Sequence, residues 1–256
     1  IMRLIIEQNY EQLSKWAANY VAAKIKQANP TPEKPFVLGL PTGSSPLGMY
    51  KNLIELNKKG VISFQNVITF NMDEYVGLPK DHPESYHSFM WNNFFSHIDI
   101  KPENVNILNG NAEDIEAECA AYEAKMKAAG GVDLFLGGIG PDGHIAFNDP
   151  HVADFQDKRA VKLVDLDEKC RRQQVNDKTF DTLEEVPKYA VTLTIPTLVS
   201  AKYMFCVVPT ANKAEAVFHT MFDAVSEKVP ATILRRHPHA VMFTDEDSAK
   251  ALLKAQ

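Results

Sequence analysis

Cysteine is scarce: Cys119, Cys170 and Cys206 are the only three in 256 residues, far apart and without a CxxC pair. That spacing excludes a disulfide framework and a cysteine-based zinc site, and it reads as reduced thiols in a cytoplasmic protein. Cys206 lies within the apolar run YMFCVV, a buried strand, which argues against a nucleophilic role. Long hydrophobic runs are also missing, so neither a membrane span nor a signal-peptide core is expected. Charge of one sign is nowhere concentrated. The net charge is −6, with 27 basic and 33 acidic residues interspersed, which argues against nucleic acid and membrane surfaces as partners. No Ser/Gly-rich or charged linker, internal repeat or low-complexity tract divides the chain, so residues 1–256 are expected to form a single domain. Ile1, ahead of Met2, is read as a remnant without function.

What is present is ordinary globular material, 45% apolar and 23% charged, enough for one large core. Short apolar runs recur as MRLII (2–6), FVLGL (36–40), VITFNM (67–72), LFLGG (134–138), AVTL (190–193), YMFCVV (203–208) and AVMFT (240–244). Most lack the alternation of a half-wet sheet and read as strands covered on both faces. Between the first two, Leu13, Trp16, Ala17, Tyr20, Val21 and Ile25 recur at helical intervals, a stripe that packs on a sheet. An alanine-rich helix closes on Gly130 and Gly131, and further helices are expected over 47–59, 85–97, 212–224 and 245–254. The alternation predicts an α/β fold with a mainly parallel sheet between helical layers.

In such a sheet, ligands bind beyond the carboxyl ends of the strands. Three polar loops fall there: PTGSSP after FVLGL, DEY after VITFNM, and IGPDGHIAFND after LFLGG. In the first, Gly43 allows close backbone approach, Thr42, Ser44 and Ser45 offer hydroxyls, and a helix beginning near Leu47 offers free N–H groups, an anion site suited to phosphate. The same residues also make a plain strand-to-helix turn with Ser45 as N-cap and Pro46 at the first helical position. The segment is neither a Walker loop nor GxGxxG. In the second loop, Asp73 is a candidate general base, or else a capping residue with Glu74 in solvent. Adjacent strand-like residues point to opposite sides, so only one of the two faces the site. In the third, His144 lies between Asp142 and Asp149 with Gly143 beside it, which favours an acid/base residue over a surface histidine. Zinc is the competing use, but it wants further convergent ligands, and no metal is expected.

LGLPTGSSP, TFNMDEYVGLPKDHPESYHSFM, NGNAEDIEAEC and GGIGPDGHIAFNDP, with VPKYAVTLTIPTL further on, resemble the glucosamine-6-phosphate deaminase family, whose superfamily includes 6-phosphogluconolactonase. The resemblance implies a Rossmann-like three-layer sandwich, no organic cofactor, and conversion of glucosamine 6-phosphate and water to fructose 6-phosphate and ammonia. By the same resemblance Asp73 moves a proton between C2 and C1 of the opened sugar. His144 opens the ring, Asp142 orients that group and Asp149 partners His144. Thr42, Gly43, Ser44, Ser45 and Lys213 hold the 6-phosphate.

The sequence departs from the family at several of these points. Aspartate stands at 149 where glutamate is usual, and HVADFQDKR replaces a serine-rich stretch ending in SRTR. The family's phosphate arginine has no clean counterpart; Arg171 and Arg172, in CRRQQVND, are its nearest substitutes. Pro196 stiffens LTIPTL where the family is glycine-rich. The C-terminal third, including VVPTANKAEAV and PATILRRHPHAV, is similar to a less-characterised deaminase-like branch. Relatives range from monomers to hexamers, so a homo-oligomer stays open. The altered 151–159 segment, and a chain ending at Gln256 without the family's C-terminal tail, imply no activation by N-acetylglucosamine 6-phosphate. Hydrolysis of 6-phosphogluconolactone, and a non-catalytic sugar-phosphate-binding regulator, are the alternatives.

Overall fold

The structure, a computed structural model, describes residues 2–255; the reading of Ile1 lies outside the described residues. In chain order the elements are β1 (Arg3–Glu7), α1 (Tyr10–Ala28), β2 (Phe36–Leu40), α2 (Leu47–Lys58), β3 (Val67–Asn71), β4 (Asp73–Tyr75), α3 (Tyr86–Asn93), β5 (Val105–Asn106), α4 (Ile115–Ala128) and β6 (Leu134–Gly137). There follow β7 (Val161–Asp165), α5 (Glu168–Asn176), β8 (Tyr189–Leu193), α6 (Ile195–Val199), β9 (Tyr203–Val208), α7 (Ala214–Phe222), β10 (Ala240–Asp245) and α8 (Lys250–Lys254). No helix among the described residues is long and apolar enough to cross a membrane.

Undivided apolar runs make strands buried on both faces, and the pleat sends alternate side chains to two cores. In β9, Phe205 and Val207 join Leu13, Tyr50 and Met90 of α1, α2 and α3. Met204, Cys206 and Val208 join Tyr122, Leu198, Val217 and Leu252 of α4, α6, α7 and α8. The seven strands pair in parallel in the order β1-β10-β9-β6-β2-β3-β5, so the expected three-layer Rossmann-like arrangement is the one observed. Because β6, β2 and β3 are parallel neighbours, their three polar loops leave from one edge.

Several local expectations change. Trp16 flanks the α1 stripe at 54% exposure rather than lying in it. The helix expected over 85–97 breaks at Phe94 into a short 3-10 turn, Phe95–His97. The helix expected over 245–254 begins only at Lys250, because Asp245 finishes β10 and then turns the chain by exchanging hydrogen bonds with Ser248. AVTL is not part of the main sheet. It belongs to β8, the centre of a second, antiparallel sheet in the order β4-β8-β7. This small sheet has its own core, with Tyr75, Phe147, Val164, Phe180, Val186 and Ala190. It is stitched to the end of β3 by the Leu193 N–H donating to the Met72 carbonyl at 2.8 Å.

Candidate active site

The small sheet carries the acidic half of the site. Asp73 opens β4 opposite Thr192 of β8 and is 7% exposed. Burial first, and then the charge of Glu74, push its carboxyl up to about 8, with His144 pulling the other way. A group that must both take and return a proton near neutrality needs such a value. Glu74 does not face solvent as expected. It is 5% exposed and accepts N–H bonds from Tyr75 at 2.9 Å and from Tyr86 and His87 at 3.0 Å, so, beside the Ser85 N-cap, Glu74 satisfies the first two N–H groups of α3. Burial raises its carboxyl, and those N–H bonds oppose the rise. Asp73 is thereby left for chemistry. Glu74→Gln puts an amide donor against at least one of the three N–H groups and should cost about 1–3 kcal/mol. It also removes a charge that raises Asp73. A fall in Tm together with a pH-rate profile displaced to lower pH is expected, and an unmoved profile would deny the electrostatic link.

The loop after β6 carries the histidine. Gly143 turns it at φ 81, and the Ala231 N–H donates to the Gly143 carbonyl at 2.8 Å, bracing the turn from outside. Gly140 serves differently. A Cβ there would lie 1.8–2.4 Å from the His144 ring, so only glycine lets the imidazole approach that backbone. Gly140→Ala should displace the ring and lower turnover by at least about 10-fold while the fold survives, as circular dichroism beside a rate assay would show. On its other side the loop is fixed to the small sheet. Phe147 N–H donates to Thr192 Oγ1 at 3.1 Å, and Asn148 Nδ2 donates to the Leu193 carbonyl at 2.9 Å. Asp73 and His144 are thus referenced to the same strand, β8.

His144 Nδ1 lies 2.7 Å from Asp142 Oδ1 and 3.1 Å from Asp149 Oδ1. Asp142 also accepts the His144 backbone N–H at 3.0 Å, so it fixes both ring and backbone. Asp149, 3% exposed, makes no hydrogen bond through Oδ1 and acts by charge. The shorter aspartate arm therefore still reaches the imidazole. Burial disfavours the imidazolium, but the Asp142 hydrogen bond and the charges of Asp149 and Asp142 outweigh it and raise the histidine above its usual value. The bond to His144 holds Asp142 low against the cost of its burial, while burial pushes Asp149 up despite the same imidazole. With Nδ1 engaged, Nε2 has no hydrogen-bond partner among the described residues, and the ring is partly open to solvent. The donors of Asp142, His144 and Asp149 converge within 4.8 Å, as do those of Asp149, His151 and Asp167, so zinc-type ligand sets exist in outline. The short Asp142–His144 contact is that of a hydrogen-bonded acid/base pair.

The third component is the 42–45 loop. Gly43 takes φ 98 with open space above it. Ser45 is not the N-cap: α2 starts after Pro46 without a side-chain cap, and no hydrogen bond among the described residues engages the hydroxyls of Thr42, Ser44 or Ser45. Tyr10 fixes the turn instead, its hydroxyl donating to the Ser45 carbonyl at 2.8 Å and accepting the Gly48 N–H at 2.9 Å. Lys213, in the 3-10 turn Ala211–Lys213 after β9, sends Nζ to the Ile139 carbonyl at 2.7 Å, which ties it to the histidine loop. Burial lowers its ammonium pKa.

Arg171 and Arg172 are committed elsewhere in α5. Arg171 donates to the carbonyls of Leu183 at 2.8 Å and Val186 at 3.1 Å, and Arg172 pairs with Glu168 on an exposed face. No hydrogen bond or ion pair among the described residues joins either to the 42–45 loop or to Lys213. Sequence reasoning missed Thr192, Asn148 and Tyr10. Each works through a partner more than 30 positions away, which no local pattern announces.

Comparison with known proteins shows the family and the fold. Residues 8–243 match the family described as glucosamine-6-phosphate isomerases/6-phosphogluconolactonase. A glucosamine-6-phosphate deaminase of Parabacteroides distasonis is 67% identical over 246 residues, 96% of this chain and 89% of that protein. One of Bacteroides fragilis is 58% identical over 254 residues, covering 99% and 92%. A solved structure of a monomeric glucosamine-6-phosphate deaminase superposes with TM-score 0.90 at 40% identity, over 97% of this chain and 99% of that one. The 6-phosphogluconolactonase of Thermotoga maritima, at 21% identity and TM-score 0.72 over 96% and 100%, shares the fold.

Proposed function

The chain belongs to the glucosamine-6-phosphate isomerase/6-phosphogluconolactonase family, and we propose that within it the site catalyses isomerising deamination of glucosamine 6-phosphate to fructose 6-phosphate and ammonia. The observation that carries this reading is the pairing of a buried carboxyl raised to about 8 with an imidazole whose Nδ1 is held by one aspartate and faced by another. The chemistry needs two proton-transfer groups with separate tasks.

The 6-phosphate sits against the free hydroxyls and N–H groups of the 42–45 loop, with Lys213 supplying charge. Arg171 and Arg172 join it only by leaving their present partners. His144, through Nε2, exchanges protons with the ring oxygen and the anomeric hydroxyl, and the pyranose opens to the aldehyde. The cationic amine at C2 favours the ionised form of Asp73. Asp73 then takes the C2 proton, giving an enolamine, and returns a proton to C1. The C2–H bond breaks, a C1–H bond forms, the proton that the ammonium gives up goes to the C1 oxygen, which becomes a hydroxyl, and C2 becomes an imine, which water hydrolyses to the ketone and ammonia. These steps require neither an organic cofactor nor a metal. We place the enzyme in the cytoplasm, with a homo-oligomer not required by a fold that a monomeric relative shares.

The test is substrate choice. Glucosamine 6-phosphate should yield equal amounts of ammonia and fructose 6-phosphate, and 6-phosphogluconolactone should be left at its uncatalysed rate. The reverse pattern would assign the site to lactone hydrolysis, and binding without turnover of either would make it a regulator.

A further inference from the structure

We propose that Asp245 is a positioning residue for Lys213, holding Thr210 in a conformation that aims the lysine at the phosphate. The inference rests on the assignment of Lys213 to the 6-phosphate made above. Thr210 takes φ 78 and ψ 155, a region used almost only by glycine, and a β-branched residue there is strained. Such strain persists only where neighbours impose it. Here the neighbour is Asp245, 3% exposed at the end of β10, whose Oδ2 accepts the Thr210 N–H at 3.0 Å. The register places it there, since Thr244 of β10 pairs with Val208 of β9. The other carboxylate oxygen accepts the Ser248 N–H at 2.7 Å, so both oxygens are occupied by amides.

What the strain accomplishes is a change of direction. Directly after Thr210 the chain enters the Ala211–Lys213 turn, closed by the Lys213 N–H on the Thr210 carbonyl at 3.2 Å. From that turn Nζ crosses from the β9 edge to the Ile139 carbonyl of the β6 loop. A Thr210 relaxed to negative φ would rotate the whole turn and carry Nζ away from that loop. The Thr210 and Ser248 N–H groups meet different carboxylate oxygens, and Asp245→Asn turns one of these into an NH2 donor, so one of the two N–H groups loses its acceptor.

The experiment measures KM and kcat for ammonia release, the inhibition constant of inorganic phosphate as competitor, and Tm. Asp245→Asn should raise KM and the phosphate constant together by about 10-fold while kcat stays within about 2-fold. Ser248→Ala, which loosens the same turn but leaves the carboxylate on Thr210, should lower Tm without moving the phosphate constant. In the double variant Asp245→Asn/Thr210→Gly, glycine adopts the required φ without a tether, so most of the lost affinity should return. If Asp245→Asn does not fold, Thr210→Pro must show the same loss of phosphate affinity, since it deletes the tethered N–H and forbids positive φ at an exposed position. Unchanged KM and phosphate constant in Asp245→Asn, or a double variant no better than the single, would overturn the proposal. Lys213→Ala separates the two levels. If it leaves the phosphate constant unchanged, the phosphate assignment itself fails; if it weakens phosphate and Asp245→Asn does not, only the positioning role fails.

Discussion

Asp73→Asn is expected to lower turnover at least about 100-fold, the scale of a positioned acid/base group, while phosphate inhibition and the overall fold stay as they were. Asparagine fits the same space opposite Thr192 but cannot carry the C2 proton. The same variant makes a thermodynamic prediction of definite sign. The folded-state value of Asp73, about 8, lies above its ordinary value of 3.8. The stability the protonated carboxyl contributes is therefore fully present below that ordinary value and is lost as pH rises through the folded one. Asparagine does not titrate. The Tm of Asp73→Asn relative to wild type should rise between about pH 4 and pH 8 and then level off. Turnover of the wild type should climb over the upper part of that range as the carboxylate forms. A Tm difference independent of pH would show that Asp73 is ionised and solvated in the free protein.

His144→Gln should give the second large effect, and an asymmetric one. The imidazole, bonded to Asp142 and facing Asp149, presents Nε2 as the only ring nitrogen without a protein partner among the described residues. Its task is ring opening, which precedes the work of Asp73. Loss of it should slow the cyclic amino sugar by about 100-fold or more. Fructose 6-phosphate with ammonia, run in the reverse direction, should lose much less, because part of that sugar reaches the site already open. Rate measurements in both directions decide the matter. Equal and small losses would make His144 a structural element of its loop.

How far the site was legible depended on how local its causes are. The strands β2, β3, β6, β9 and β10 follow from undivided apolar runs, and parallel pairing then brings their three loops to one edge. The small sheet was not legible in the same way. In β7, Lys162 occupies a buried position, where it is held by Asp157 at 2.9 Å and by the Val152 carbonyl, so VKLVD does not look like a strand until that partner is known. The roles of Asp73 and Glu74 were separable only once α3 was placed, because its N–H groups select Glu74. Gly140 carries no mark of its role in the sequence, because that role, the flank of an imidazole four residues on, exists only in the folded chain. Arg171 reads in the sequence as a substitute for the family's phosphate arginine. Its guanidinium donates here to the 183–186 turn, whose carbonyls carry no sequence signature at all.

The central claim is that Asp73 removes the proton from C2, and substrate deuterated at C2 tests it most directly. With the wild-type protein the label should leave C2 completely, appearing partly at C1 of fructose 6-phosphate and partly in water, in step with ammonia release. With Asp73→Asn the label should stay at C2 of the recovered substrate. Ammonia released with deuterium still at C2, or exchange at the wild-type rate in Asp73→Asn, would contradict the account.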